Sequence, residues 1–270
     1  MRRKFVVGIS FSFLLVLLFS TCSREPDTLI CRPLNMKLDS GDSVVFDVND
    51  AGHLVSVIQY HVSGFAPDRY EFEYNTEGKM VTVNEFNVLH APTNVIYRTH
   101  TFEYQGNLVS KVTTTVLASS EATITTFTHN DAGQLIKLEN NTFGSIRYEF
   151  NDQGNVSKVY YFLAGTPEEF LARDVRENDK RFLFYEHIAD LKQFYIYLKW
   201  YIPSKNNILS SLVKATISNG QVVGTATAQL IDYGVAYNND GYITGWKPNL
   251  APFYSDTWFV NINYSCDFSE

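Results

Sequence analysis

The chain repeats itself. A pair of aromatic or apolar residues two positions apart, an Asn/Asp-rich turn closed by Gly, and a short apolar segment recur along most of its length. They read Phe46-Asp47-Val48-Asn49-Asp50-Ala51-Gly52-His53-Leu54 and then Tyr70-Glu71-Phe72-Glu73-Tyr74-Asn75-Thr76-Glu77-Gly78-Lys79-Met80, with further copies centred on Gly106, Gly133, Gly154 and Gly241. A period of roughly 20 to 30 residues is one β-hairpin, and a lone hairpin is barely stable in water, so the units must pack side by side.

Counting back from each Gly, positions −6 and −4 hold Phe46 and Val48, Phe72 and Tyr74, Phe127 and His129, Tyr148 and Phe150, Val235 and Tyr237. Residues two apart share a strand face, and the residue between them is mostly polar, so the incoming strand is half-buried. The turn needs a positive φ, which Gly tolerates and a neighbouring Asn or Asp supports by bonding local backbone. After the turn, apolar residues stand at +2 and +5: Leu54 and Val57, Met80 and Val83, Leu135 and Leu138, Val156 and Val159, Ile243 and Trp246. A spacing of three changes face in a regular strand, which predicts a bulge just after each turn. The Gly106 copy is two residues shorter in its loop and predicts a tighter turn.

Six such hairpins imply about twelve or more strands in a curled or barrel-like antiparallel meander, since short loops join antiparallel neighbours. The domain is expected over residues 41–268, with a non-repeating helical block near 164–202. Thr166-Pro167-Glu168-Glu169 has the form of a helix start, predicting a short helix to Arg176. The spacing of Phe184, Ile188, Leu191, Tyr195 and Leu198 predicts a second, amphipathic helix, although Tyr195 to Trp200 is β-rich in composition.

The amino terminus reads as a leader. Arg2-Arg3-Lys4 precedes an apolar stretch from Phe5 to Phe19, too short for a comfortable membrane span, and Cys22 follows. Phe19-Ser20-Thr21-Cys22 resembles a lipoprotein processing site, though without the commoner Leu at −3 and Gly or Ala at −1. Residues 1–21 are then a signal peptide, Cys22 the lipid attachment point and 22–40 a tether; ordinary signal cleavage is the alternative. Acyl chains would provide the membrane attachment. Loss of three basic residues leaves 19 against 29 acidic ones, from a whole-chain charge of −7. Such a balance, without a basic stripe, excludes a nucleic-acid partner.

Cys31 and Cys266 remain, near the two ends. In an oxidising compartment they are disulfide candidates; two thiols that never meet is the other reading. No cofactor or metal is expected. Asp47-x-Asn49-Asp50-x-Gly52 and Asn238-Asn239-Asp240-Gly241 lack the later bidentate carboxylate of a calcium loop, and the six histidines show no metal spacing. His129 sits in a strand position. No catalytic motif is present, and the scattered Asp and Glu fall mostly on polar strand faces or turns, so an enzyme is not expected. Tyr195, Tyr197, Trp200, Tyr201, Trp246 and Trp258 gather outside the regular repeats. They are the candidate ligand-stacking rings, against the plainer role of packing helix on sheet.

The Gly-centred units resemble the tyrosine-aspartate repeats of large bacterial shell proteins. More closely, the repeats from Phe46 to Val159, the central block, Ser204-Lys205-Asn206-Asn207 and the final Tyr237-Asn238-Asn239-Asp240-Gly241-Tyr242 copy resemble uncharacterised gut-Bacteroidetes lipoproteins with a porin-like fold. That resemblance implies a curled sheet with an inserted helix and supplies no catalytic residues. The expectation is an outer-membrane lipoprotein, on the cell surface or periplasmic face, that binds or scaffolds a glycan or protein ligand. A transmembrane β-barrel pore and a hydrolase with an unrecognised site are the alternatives.

Overall fold

The computed structural model describes residues 29–38, 41–62, 67–87, 94–117, 119, 121–142, 144–163, 169–182, 190, 193, 203–218, 221–239, 243–249 and 259–268. Its strands are β1 (Leu29–Leu38), β2 (Ser43–Val48), β3 (Leu54–Tyr60), β4 (Asp68–Tyr74), β5 (Met80–Phe86), β6 (Arg98–Gln105), β7 (Leu108–Val116) and β8 (Ala122–His129). They continue as β9 (Leu135–Asn140), β10 (Gly144–Phe150), β11 (Val156–Leu163), β12 (Glu169–Phe182), β13 (Asn206–Ser218), β14 (Gln221–Tyr237), β15 (Ile243–Asn249) and β16 (Phe259–Phe268). They form one sheet in which β15 to β1 follow in reverse chain order and β16 lies beside β1. This is the expected antiparallel meander. The sheet is not closed: among the described residues no backbone ladder joins β15 to β16. By its contacts the chain divides into Arg32–Ser265 and a smaller unit drawn from the two termini.

The turns work as the sequence suggests. Asn75 Oδ1 accepts from the N–H groups of Glu77 (3.0 Å) and Lys79 (2.9 Å), and Asn130 and Asn151 repeat the arrangement with Ala132, Gln134, Gln153 and Asn155. Each Asn thereby satisfies two backbone donors inside its own turn, while Gly78, Gly133 and Gly154 supply φ of 74°, 75° and 81°. The bulge follows in every copy. Pairing skips Val55, Val81, Ile136, Ser157 and Thr244, each directly after the +2 residue. In the short copy Gln105 pairs with Leu108, a tighter turn, and the bulge falls at Ser110.

The bulge decides what is buried. It brings +2 and +5 to one face, so Leu54, Val57, Met80, Val83, Leu135, Leu138, Val156 and Val159 join Phe46, Phe72, Phe127 and Tyr148 in a single core that also takes in Ile243 and Ile262. Burying each such side chain fully contributes about 1.5–3 kcal/mol. A repeated tyrosine ties neighbouring hairpins. Tyr74 Oη donates to Leu54 O (2.8 Å) and Tyr104 Oη to Met80 O (2.6 Å). Tyr264 Oη on β16 donates in the same way to Ile243 O on β15 (2.6 Å), so the two edge strands meet through a side chain where no ladder joins them.

The helix expected from Thr166 to Arg176 is not formed. Residues 169–182 are strand β12, paired with both β11 and β13. The Thr-Pro-Glu-Glu signature offers one capped turn, whereas a strand between two neighbours satisfies its backbone along its whole length and buries Ala172. Of the second expected helix, Asp190 and Gln193 are helical and the rest lies outside the described residues.

Candidate functional site

On the core face the apolar rows stop short of the strand ends remote from the turns. Two residues beyond the apolar +5 position, and on the same face, stand Gln59 on β3, Glu85 on β5 and Asn140 on β9, with Thr114 as the equivalent on β7. Glu85 and His100 are each only 5% exposed. His100 Nδ1 lies 2.9 Å from Thr114 Oγ1, and its Nε2 lies 3.4 Å from Glu85 Oε2. Arg98, directly opposite Glu85 in the ladder, reaches both carboxylate oxygens at 3.4 Å and stacks on the Tyr97 ring at 4.6 Å. Burial pushes the Glu85 carboxyl up, but the His100 hydrogen bond and the Arg98 charge outweigh it and hold it below the usual carboxylate range. Two strands on, Asn140 Nδ2 donates to Thr125 Oγ1 (2.7 Å). These residues form a polar belt above an apolar floor. Tyr70 pairs with Glu85 on its other side.

Glu85 is an exception to the placing of most acidic residues on polar strand faces and turns. Glu85 lies on the core face because the bulge inverts the face parity of everything after it.

The turn end carries a second constellation. Asp190, 7% exposed, places Oδ2 3.2 Å from Leu54 N, 3.0 Å from Tyr74 Oη and 3.1 Å from His53 Nδ1. The His53 and Tyr74 rings lie 4.6 Å apart. Tyr104 Oη lies 3.4 Å from Gln193 Oε1. Burial and then the Asp190 charge raise both phenols, Tyr104 to about 12, so each keeps its proton and donates. Asp190 and Gln193 thereby bond to residues of the first three hairpins. A third cluster joins β12 to β14: Asp179 accepts from Asn207 Nδ2 (2.9 Å) and from Tyr237 Oη, and Asn155 Oδ1 accepts from Asn206 N (2.8 Å). The Asn155 amide nitrogen is buried with no partner.

Cys22, Tyr195, Tyr197, Trp200, Tyr201 and Trp258 lie outside the described residues, and Trp246 is on β15 opposite Val235. Cys31 and Cys266 fall on β1 and β16, which neighbour each other in the sheet. His129 ends β8, and burial lowers its pKa. Among the described residues no group of three or more His, Cys, Asp or Glu could hold a metal ion. No helix among them is long and apolar enough to cross a membrane.

No family model matches the chain, and no curated protein matches it. Among solved structures, a porin-like protein from Bacteroides uniformis superposes with a TM-score of 0.53 at 14% identity, over 88% of this chain and 98% of that one. The two share a fold. Parts of TcdB2-TccC3 without its hypervariable carboxyl-terminal region and of the Photorhabdus luminescens Tc holotoxin pore superpose at TM-scores of 0.30 and 0.31 with 9% identity. They span 75% and 84% of this chain but 9% and 12% of theirs, a likeness too slight to bear on it.

Proposed function

We propose that the protein is exported, anchored by lipid at Cys22, and acts as a binding or scaffolding module for a glycan or protein ligand. The observation that carries this reading is the distribution of charge across the sheet. The face opposite the core is laced with ion pairs: Arg69 with Glu71 (3.1 Å), Lys137 with Glu139 (2.7 Å), and Arg147 with Glu149 (2.8 Å) and Glu169 (2.7 Å). A lipid-facing barrel wall is apolar outward, and a Lys or Arg at its midplane costs about 2–4 kcal/mol. This sheet has the reverse polarity, which favours a water-facing body held by an acyl anchor over a transmembrane pore. The shared fold with a porin-like protein is compatible with either, because fold does not determine function.

A hydrolase finds less support. Asp179 and Asp190 are each engaged by hydrogen-bond donors of the fold itself, Asp190 holding the Leu54 N–H and the Tyr74 hydroxyl as well as His53. The test is fractionation. Protein lacking residues 1–22 is expected to purify without detergent, and Cys22→Ala is expected to move the full chain from the membrane to the soluble fraction. A detergent requirement that persists in both variants contradicts the proposal.

A further inference from the structure

We infer that the polar belt at the strand ends remote from the turns is a saccharide site that takes a neutral, polyhydroxylated ligand, with Glu85 as acceptor, Arg98 as donor and Tyr97 as the stacking ring. The inference rests on the reading of the protein as a binding module and gives that module a ligand class and a place.

Three observations converge on it. The first is unused bonding capacity. A carboxylate offers about four lone-pair sites and draws charged donors to about 2.7–2.9 Å. All three contacts of Glu85, two from Arg98 and one from His100, are stretched to 3.4 Å. Bonds beside it reach full strength: His100 to Thr114 at 2.9 Å and Asn140 to Thr125 at 2.7 Å. The belt is therefore ordered around a carboxylate whose own hydrogen bonds are incomplete, and a hydroxyl inserted between Glu85 and Arg98 would donate to one and accept from the other.

The second is the balance of charge. Arg98 disfavours a cation at Glu85, and Glu85 disfavours an anion at Arg98. A group that both donates and accepts without charge suits the pair, and a sugar hydroxyl is such a group. The third is access. The Arg98 side chain is 39% exposed and lies on Tyr97, so the pair meets solvent at the sheet rim and offers a ring on which the apolar face of a sugar can stack.

The experiment is calorimetric titration of the full-length protein in mild detergent with glucose, galactose, mannose, N-acetylglucosamine and their short oligomers. N-acetylneuraminic acid and glucosamine serve as the anionic and cationic probes. At least one neutral saccharide is expected to bind, with Glu85→Gln and Arg98→Gln each raising Kd tenfold or more and Tyr97→Ala raising it less. Arg98 and Tyr97 are partly exposed, so their variants test the site even where Glu85→Gln lowers stability. The inference is overturned if no neutral saccharide binds, if a charged probe binds in preference, or if Arg98→Gln and Tyr97→Ala leave Kd unchanged. None of these results touches the fractionation behaviour, so the anchored-module reading stands or falls separately.

Discussion

The hairpins from β2 to β11 and the strands from β12 to β14 solve the same problem by different means. In the first region each strand is six to nine residues long, and each outgoing strand carries one bulge at a fixed place after its turn. In the second the strands run to 14, 13 and 17 residues, and the β12–β13 ladder shifts register three times. Their interiors differ as well. The hairpins bury rows of Leu, Val, Met and Phe with the polar belt confined to their far ends, whereas the start of β13 and the residues before it bury Ser204, Asn206, Asn207, Ser210 and Ser211 beside Ile208. A turn with its own Asn and Gly sets register locally, so an apolar face is enough to hold it. β12 and β13 are joined by no such short turn, and there register is supported by side chains that recognise particular partners, as Asp179, Asn207 and Tyr237 do.

The contrast can be broken most directly in the apolar region. Leu54 is 0% exposed, and Leu54→Ala should cost about 2–5 kcal/mol in urea denaturation, like other large-to-small core changes. A loss under about 1 kcal/mol would show that the hairpin core is loosely packed and that the comparison fails. The carboxyl-terminal region should respond to loss of a partner rather than of volume. Asp179→Ala removes an acceptor from Asn207 and Tyr237 and should cost about 1–3 kcal/mol, whereas Asp179→Asn should cost less. Equal losses for the two would mean that shape, not hydrogen bonding, sets the register there.

Turn substitutions come next. Gly78→Ala places a side chain at φ of 74°, with its Cβ 3.3 Å from the His53 ring, and should cost roughly 1–2 kcal/mol; Asn75→Ala should cost about 1 kcal/mol. Unchanged melting temperatures in both would remove the turn from the account of register. The smallest effect concerns pH. Because the folded carboxyl of Glu85 titrates below its unfolded value, its contribution is present at neutral pH and is lost as pH falls through that depressed folded pKa. Urea midpoints measured down the acid range should therefore fall less steeply for Glu85→Gln than for the parent. Parallel curves would show that the belt does not hold the charged form.

How far the sequence could be read follows from the same division. The +2 and +5 spacing announced the bulge, and Asn-x-x-Gly announced the turn, because both are local consequences of backbone geometry. The segment after Pro167 misled because a helix start can be written in four residues, while the pairing that made Glu169–Phe182 a strand comes from β11 and β13. The belt was partly visible: Gln59, Glu85 and Asn140 recur seven residues after their glycines. In an unbroken strand +7 would face away from +2; the bulge between them puts +7, like +5, on the face of +2. The contacts of Asp190 with Leu54 and Tyr74 span 136 and 116 residues, and no local pattern encodes them.

The cysteines offer a further check on how β16 is held beside β1. Asn263 Nδ2 lies 2.7 Å from Asn35 Oδ1 across β16 and β1. Cys31 stands four residues from Asn35 and Cys266 three from Asn263 along their strands. Peptide mapping without reductant should recover one linked fragment if the proposed bridge forms, and free thiol at both positions rules it out.

The bond from Tyr264 to Ile243 marks a seam. Everywhere else in the sheet, adding or deleting a hairpin would part strands already joined by a continuous ladder. At the seam the edges are held by a tyrosine of the kind that ties one hairpin to the next, so a duplicated unit inserted there could repeat the bond on either side of itself. Recombination within the gene would meet least resistance at this line, and relatives with more or fewer repeats should differ there first.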